Sequence, residues 1–439
     1  MSLRLVFSGM WLTPILVGPL FLNAPDAAAQ NSCGTAQCHA TLLAPKNVHP
    51  PSESCDSCHE SVATPHPQKG KKTFKLTSEP PELCTACHDA FGKKREVHPP
   101  VKDGMCTTCH DPHAANEPTL LVQPLKDLCT SCHDDKASFP HMHGPVAAGD
   151  CTSCHTSHES DIKALLLKKD DELCAGCHVD VQELLKKAHV HPALDGGCTS
   201  CHNPHGSAHP KLLAEEGAGV CFACHDHVGT RVEKAPVVHA AVKSEKGCAS
   251  CHSPHASDNA KLLLSPEKDA CLGCHKTIIS TSMTTLHGPI RDGKCTPCHD
   301  PHGGANAKLL VAGFPTAPYV PYADTEYALC FSCHKRDLLQ YPDTSFATGF
   351  RDGERNLHHL HVNNKQKGRS CALCHRLHGS RQPKLMADSV PFGKWSLPLK
   401  FVKTETGGSC SPGCHKIQNY DRKSPGKRSE AAKPDGKTS

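Results

Sequence analysis

Aromatic side chains are scarce in this 439-residue sequence, at 4% of the whole, with two tryptophans and five tyrosines. That excludes an ordinary core of the size the length would suggest, because large side chains carry most of the area that folding buries. Long regular elements are excluded as well, since 36 prolines and 32 glycines interrupt any extended helix or sheet. After residue 29 only four methionines remain, Met105, Met142, Met283 and Met386, so thioether ligation of a metal is not general. No apolar run beyond residues 5–22 is long enough to span a membrane.

Cysteine is abundant instead. All 30 cysteines fall into fifteen pairs followed at once by histidine, and none is left for a disulfide. Thirteen pairs have the spacing Cys-x-x-Cys-His. These are Cys55/Cys58/His59, Cys84/Cys87/His88, Cys106/Cys109/His110, Cys129/Cys132/His133, Cys151/Cys154/His155, Cys174/Cys177/His178, Cys198/Cys201/His202, Cys221/Cys224/His225, Cys248/Cys251/His252, Cys271/Cys274/His275, Cys295/Cys298/His299, Cys330/Cys333/His334 and Cys371/Cys374/His375. The outermost two are stretched, Cys33/Cys38/His39 by two residues and Cys410/Cys414/His415 by one.

Two thiols one short turn apart can add to the two vinyl groups of one haem, and the imidazole that follows then lies under the iron. One such motif could be half a zinc site or a redox dithiol. Fifteen, each completed by histidine, point to covalent haem c, about fifteen per chain. Haem faces then supply the missing core, and folding is coupled to haem attachment as zinc-finger folding is coupled to metal.

The formal charge of +4 reverses once two propionates per haem are added, to roughly ten net negative charges. Nucleic-acid binding is not expected. Arg4, the apolar stretch over 5–22 and the small residues Ala27, Ala28 and Ala29 read as a Sec-type signal over 1–29. The mature chain is expected to lack a transmembrane segment and to lie in the periplasm, at the outer membrane or outside the cell.

The motifs repeat as a unit of roughly 45 to 50 residues holding two sites. In four consecutive copies the paired motif histidines are 23 residues apart: His110 and His133, His155 and His178, His202 and His225, His252 and His275. His299 with His334, His375 with His415, and His59 with His88 form looser copies, and His39 stands alone in front. The regular repeats and the extra first site occupy 30–302, an elaborated haem region 303–423, and a disordered tail 424–439. The expected fold is a multihaem cytochrome c: an array of di-haem modules, mostly irregular loops with short α-helices and little or no sheet.

Two further histidines recur in each unit. One follows the first motif histidine by three residues, at His113, His158, His205, His255, His302 and His378, with His66 in that role in the first unit. The other precedes the first cysteine by six to ten residues, at His49, His98, His143, His191, His239, His287 and His361. These fourteen are candidate second axial ligands, which would make the haems mostly bis-histidine and low in potential. A histidine three residues after a motif histidine shares its side of the local chain, so it is expected to ligate a different haem. Leu-rich patches begin seven residues further on, at Leu120, Leu165, Leu212, Leu262, Leu309 and Leu385, and are expected to pack on haem edges.

The run Gly197, Cys198, Thr199, Ser200, Cys201, His202, Asn203, Pro204, His205, Gly206, followed by Lys211, Leu212, Leu213 and then Cys221, Phe222, Ala223, Cys224, His225, resembles the doubled Cys-x-x-Cys-His multihaem cytochromes. Its repeat is similar to that of periplasmic decahaem subunits of porin-cytochrome conduits, with fifteen motifs here in place of ten. The resemblance implies bis-histidine haems in an extended chain and no catalytic site. Electron transfer in anaerobic or extracellular transport follows, with redox proteins as donor and acceptor and an outer-membrane porin as a possible partner. Two alternatives stand beside it. One is a nitrite- or hydroxylamine-type oxidoreductase with one open iron, for which no Cys-x-x-Cys-Lys motif is present. The other is a subunit of an extracellular cytochrome filament.

Overall fold

The computed structural model describes residues 38–413 and 415–426. Cys33, Cys414, the expected signal over 1–29 and positions 427–439 of the expected tail lie outside the described residues.

The chain is mostly irregular, with short helices and very small sheets. The longest described helix, Asp226–Lys234, has nine residues. First-motif cysteines open single 3-10 turns such as Cys106–Thr108 and Cys198–Ser200. Second-motif cysteines close short α-helices such as Leu125–Thr130, Asp170–Ala175 and Glu267–Leu272. Proline ahead of the first and third, and acidic residues in the first turn of all three, suit the positive end of a helix. At either kind of motif the histidine N–H donates to the first cysteine's carbonyl four residues back, as in His88 to Cys84 at 3.0 Å and His202 to Cys198 at 3.1 Å. That single turn sets the imidazole over the thiol pair.

Antiparallel ladders of two residues per strand tie each repeat to the next. Asn47–Val48 pairs with Ala114–Ala115, and Glu96–Val97 with Glu159–Ser160. The same pairing joins His141–Met142 to Gly206–Ser207, His189–Val190 to Ala256–Ser257, Val237–Val238 to Gly303–Gly304, and Thr285–Leu286 to Gly379–Ser380. One strand lies just before the histidine that precedes the first cysteine. Its partner lies just after the second histidine of the following repeat. Five of the six partner strands consist of glycine, alanine and serine alone, and the backbones pass closely there: a Cβ on Gly206 would lie 2.7 Å from Phe139 and 2.8 Å from the His141 carbonyl.

The described residues fall into two compact units, one of 148–167 with the residues up to 134 and the other of 135–147 with the residues from 168 on. The division cuts through a repeat because the segment before His143 is laddered to residues 206–207 of the following copy.

Side-chain core is confined to the carboxy-terminal region. Tyr327, Phe331, Leu339 and Val362 form one buried cluster, and Leu373, Val390 and Leu399 a second. Near them lie a hairpin of Ser389–Phe392 and Trp395–Pro398 and a three-stranded sheet of Val402–Lys403, Gly407–Cys410 and Gln418–Asp421. In the repeats, Ala114, Ala115 and Ala256 are the buried apolar residues among those described. The third residue of the Leu patches stays half exposed in four copies: Val122 49%, Leu167 47%, Leu264 56% and Val311 51%. No helix among the described residues is long and apolar enough to cross a membrane.

Candidate metal centres

Among the described residues no cysteine is joined in a disulfide, and each thiol is exposed or half-buried. The motifs therefore present open thiol pairs beside their imidazoles, the donor set that covalent haem attachment requires.

The two thiols of a pair are not covered alike. The first cysteine of every described pair is half-buried. The second is half-buried only at first-motif sites, at Cys58, Cys109, Cys154, Cys201, Cys251, Cys298 and Cys374. At second-motif sites it is exposed, at Cys87, Cys132, Cys177, Cys224, Cys274 and Cys333, as it is at Cys38 of the leading motif. The cover comes from the returning chain. Thr77 N–H donates to the Cys58 carbonyl at 2.9 Å, Leu167 N–H to that of Cys154 at 2.9 Å and Ala387 N–H to that of Cys374 at 2.8 Å. Second-motif cysteines end a helix and, among the described residues, receive no such return.

Thiols also meet between motifs, which the spacing did not lead one to expect. The first cysteine of a second motif adjoins the first cysteine of the next repeat: Cys84 with Cys106, Cys129 with Cys151, Cys174 with Cys198, Cys221 with Cys248, Cys271 with Cys295 and Cys330 with Cys371. Burial and then the neighbouring thiol push Cys129 up to about 11, and Cys174 and Cys271 up to about 12. At these six junctions between a second motif and the next repeat the attachment points are therefore in contact.

Thirteen motif histidines each face a second histidine with ring centres 5.9 to 6.5 Å apart. A metal-bound imidazole nitrogen lies about 2 Å from its metal, so rings on opposite sides of one metal have centres about 6 Å apart. The gap fits one iron.

Second-motif histidines face the histidine that precedes the first cysteine of their own repeat. The pairs are His88 with His49, His133 with His98, His178 with His143, His225 with His191, His275 with His239 and His334 with His287. First-motif histidines face the second histidine of the next repeat: His59 with His113, His110 with His158, His202 with His255, His252 with His302 and His299 with His378. The leading His39 faces His66 at 6.0 Å.

The ladders produce this cross-repeat arrangement. Their ends bring the backbones of the two second-ligand candidates together, His49 N–H to the His113 carbonyl at 2.8 Å and His191 N–H to that of His255 at 2.8 Å. The two rings then face different motif histidines, His191 toward His225 and His255 toward His202.

The seventh repeat departs from the rule. His375 instead faces His358, 6.5 Å away, on the helix Leu357–Val362. Asn356 caps that helix with its side-chain oxygen, accepting from the N–H groups of His358 and His359. His361, one turn on, donates from Nδ1 to the Leu357 carbonyl at 2.6 Å, and its charge environment includes His415. His358 is not at either recurrent offset, so it is not among the fourteen candidates read from the sequence.

First-motif imidazoles are anchored in a way the sequence did not reveal. In six copies Nδ1 donates to a backbone carbonyl nine residues on: His110 to Thr119, His155 to Ala164, His202 to Lys211, His252 to Lys261, His299 to Lys308 and His375 to Lys384, at 2.8 to 3.0 Å. Each acceptor and the residue after it are left-handed, with φ of 54 to 60° and no glycine among them. Such a conformation costs about 1–2 kcal/mol per residue for a side chain with Cβ. Backbone hydrogen bonds offset it: Asn203 N–H to the Leu212 carbonyl at 2.8 Å and Ala214 N–H to that of Cys201 at 2.9 Å recur in equivalent form from copy to copy.

A serine two residues after the second histidine locks the same turn. Ser160 donates to the Leu166 carbonyl at 2.6 Å and accepts from Ile162 N–H at 3.0 Å, and Ser207, Ser257 and Ser380 repeat the arrangement. Its fixed offset in four copies was a visible but unread signal.

Burial, with neighbouring imidazoles adding to it, holds His158, His255, His287 and His378 below the ordinary imidazole value. Burial does the same for His302 against the opposing charge of Asp300. His358 is pushed down to about 4, first by burial and then by His375 and His361. A neutral ring keeps the lone pair that ligation uses.

Five segments, 98–138, 143–183, 191–230, 239–279 and 287–338, each match the doubled CXXCH motif. With the thiol pairs and imidazoles in place, these repeats define a multihaem c-type cytochrome, and covalent haem c is the group its motifs imply. Within that class its unit is the doubled CXXCH module. No curated protein matches the chain.

Proposed function

We propose that the chain is an exported electron-transfer protein holding fifteen covalent haems, one at each Cys/Cys/His motif, with histidine on both faces of the iron. Haem bound in this way supplies a one-electron iron couple whose potential stays low for want of methionine. The observation that carries the reading is the set of thirteen imidazole pairs with a metal-sized gap. The two remaining motifs are assigned by other means. His155 holds a motif place and His205 a second-ligand place in the repeat, and each is assigned as a ligand on its sequence position. His361 serves the stretched motif that ends at His415.

The residues fit the group in three respects. The thiols stand beside the first imidazole, burial holds the second imidazole below its ordinary value at His158, His255, His287, His302, His358 and His378, and the exposed Val122, Leu167, Leu264 and Val311 offer apolar cover next to the motifs. Redox proteins act as donor and acceptor, in the periplasm or at the cell exterior. The resemblance to decahaem conduit components supports an outer-membrane porin as a further partner.

Against a filament joined through shared ligands stands the in-chain partner of the leading motif, since His39 faces His66 of the same chain. Electron paramagnetic resonance of the oxidised protein tests the reading. Low-spin ferric haem alone is expected. A substantial high-spin signal that shifts with nitrite or hydroxylamine would replace it with the enzyme reading.

A further inference from the structure

The two histidines of a facing pair are not held alike, and the difference alternates along the chain. At first-motif sites the motif histidine is the anchored one, its Nδ1 on a left-handed carbonyl, as His252 is on Lys261. At second-motif sites the anchor moves to the opposite ring. His49, His98, His143 and His191 donate from Nδ1 to the carbonyls of Pro112, Ser157, Pro204 and Pro254 at 2.8 to 3.0 Å. Their facing motif histidines, His88, His133, His178 and His225, are exposed, and among the described residues none has a protein acceptor at Nδ1.

A hydrogen bond from Nδ1 to a carbonyl makes the imidazole a stronger donor to its metal. Stronger donation stabilises ferric over ferrous iron. Holding that carbonyl in place requires two consecutive left-handed residues, the conformation that side chains with Cβ disfavour and glycine accepts freely. The sequence nevertheless keeps Lys-Leu there in four copies, Lys211, Lys261, Lys308 and Lys384 each preceding a leucine.

We propose that the left-handed pairs are positioning residues that lower the reduction potential of first-motif haems by fixing a carbonyl on the motif histidine, the part that a carbonyl on the opposite ring plays at second-motif sites. This rests on the bis-histidine haem reading above.

The test uses the whole holoprotein. Lys211, Lys261, Lys308 and Lys384 are exposed, so their side chains can be exchanged without touching a core. One variant carries Lys→Gly at all four positions and another Lys→Ile. Both lose the same four charges. Glycine keeps positive φ, whereas a β-branched residue resists it. After intact mass has shown equal haem content, redox titration followed by visible absorbance compares the two. The expected result is that four of the fifteen haems in the isoleucine chain titrate at higher potential than in the glycine chain, with the rest unmoved. Superimposable titrations overturn the inference. If the fourfold isoleucine chain loses haem, Lys261→Ile and Lys261→Gly are compared singly: a one-haem shift supports the inference and identical curves overturn it. A wild-type protein without low-spin bis-imidazole haem would instead defeat the reading beneath it.

Discussion

The rings of His287 and His334 stand 6.2 Å apart and within 3° of parallel, although 47 positions separate them in the chain. Removing one member of such a pair should open one iron. His287→Ala is expected to keep every haem, since attachment depends on Cys330 and Cys333, and to gain one high-spin haem that binds carbon monoxide when reduced. Carbon monoxide difference spectra count the open sites. A variant indistinguishable from wild type would show that His287 ligates nothing.

The carboxy-terminal helix offers a sharper comparison between neighbours. His358 faces His375, whereas His359 lines a cavity with Tyr322 and Lys365. His358→Ala should open one iron and His359→Ala none, by the same carbon monoxide count. Equal effects would contradict the assignment of His358.

Acid should release these ligands and destabilise the fold together. His358 is held at about 4 in the folded chain, below its ordinary value near 6.5. The unfolded chain therefore binds more protons between these values, so stability is intact above about 6.5 and falls as pH drops toward about 4. Iron on the ring strengthens the same trend. Spectra recorded from pH 7 to 4 should show growing high-spin haem with a falling melting temperature. A melting temperature that rises over this window would reverse the sign.

Ser257 donates to the Leu263 carbonyl and accepts from Asn259 N–H at 3.0 Å. Ser257→Ala leaves the Asn259 N–H without its acceptor, and the Leu263 carbonyl with the Asn259 Nδ2 donor at 3.1 Å alone, at a buried position, 3% exposed. The expected loss is about 1–3 kcal/mol, measurable by denaturant titration of the holoprotein, with the haem count unchanged. A neutral effect would remove the serine lock from the account.

Much of this arrangement was legible in the sequence because it is chemistry at fixed offsets. Cys198, Cys201, His202 and His205 announce a thiol pair and two imidazoles, and recurrence made His191 and His239 stand out from ordinary histidines. Which ring faces which was not legible. His202 meets His255, 53 positions on, only because His189–Val190 ladders to Ala256–Ser257. Two-residue strands of His-Val and Ala-Ser carry too little pattern to be read as pairing partners. The unequal cover of Cys154 and Cys177 was hidden likewise, because it depends on where the chain returns and not on the motif itself. No glycine or asparagine marks the left-handed turn at Lys261 and Leu262, so it too escaped notice. His358 was missed because recurrence cannot reveal a residue that occurs once.

Absence of haem should be felt unevenly. Conventional clusters exist around Tyr327 and Leu373, while the described repeats bury little beyond Ala114, Ala115 and Ala256. Chain made without haem attachment should therefore show little protection from hydrogen exchange across 98–279. Protection there equal to that of the holoprotein would mean the repeats fold without their cofactor.

The central claim is that porphyrin is bonded to these thiol pairs, and intact mass of the denatured, mature protein measures it most directly. The expected mass is the mature polypeptide plus fifteen haems. A chain with no covalent porphyrin, or one whose metal is zinc released on denaturation, would contradict it.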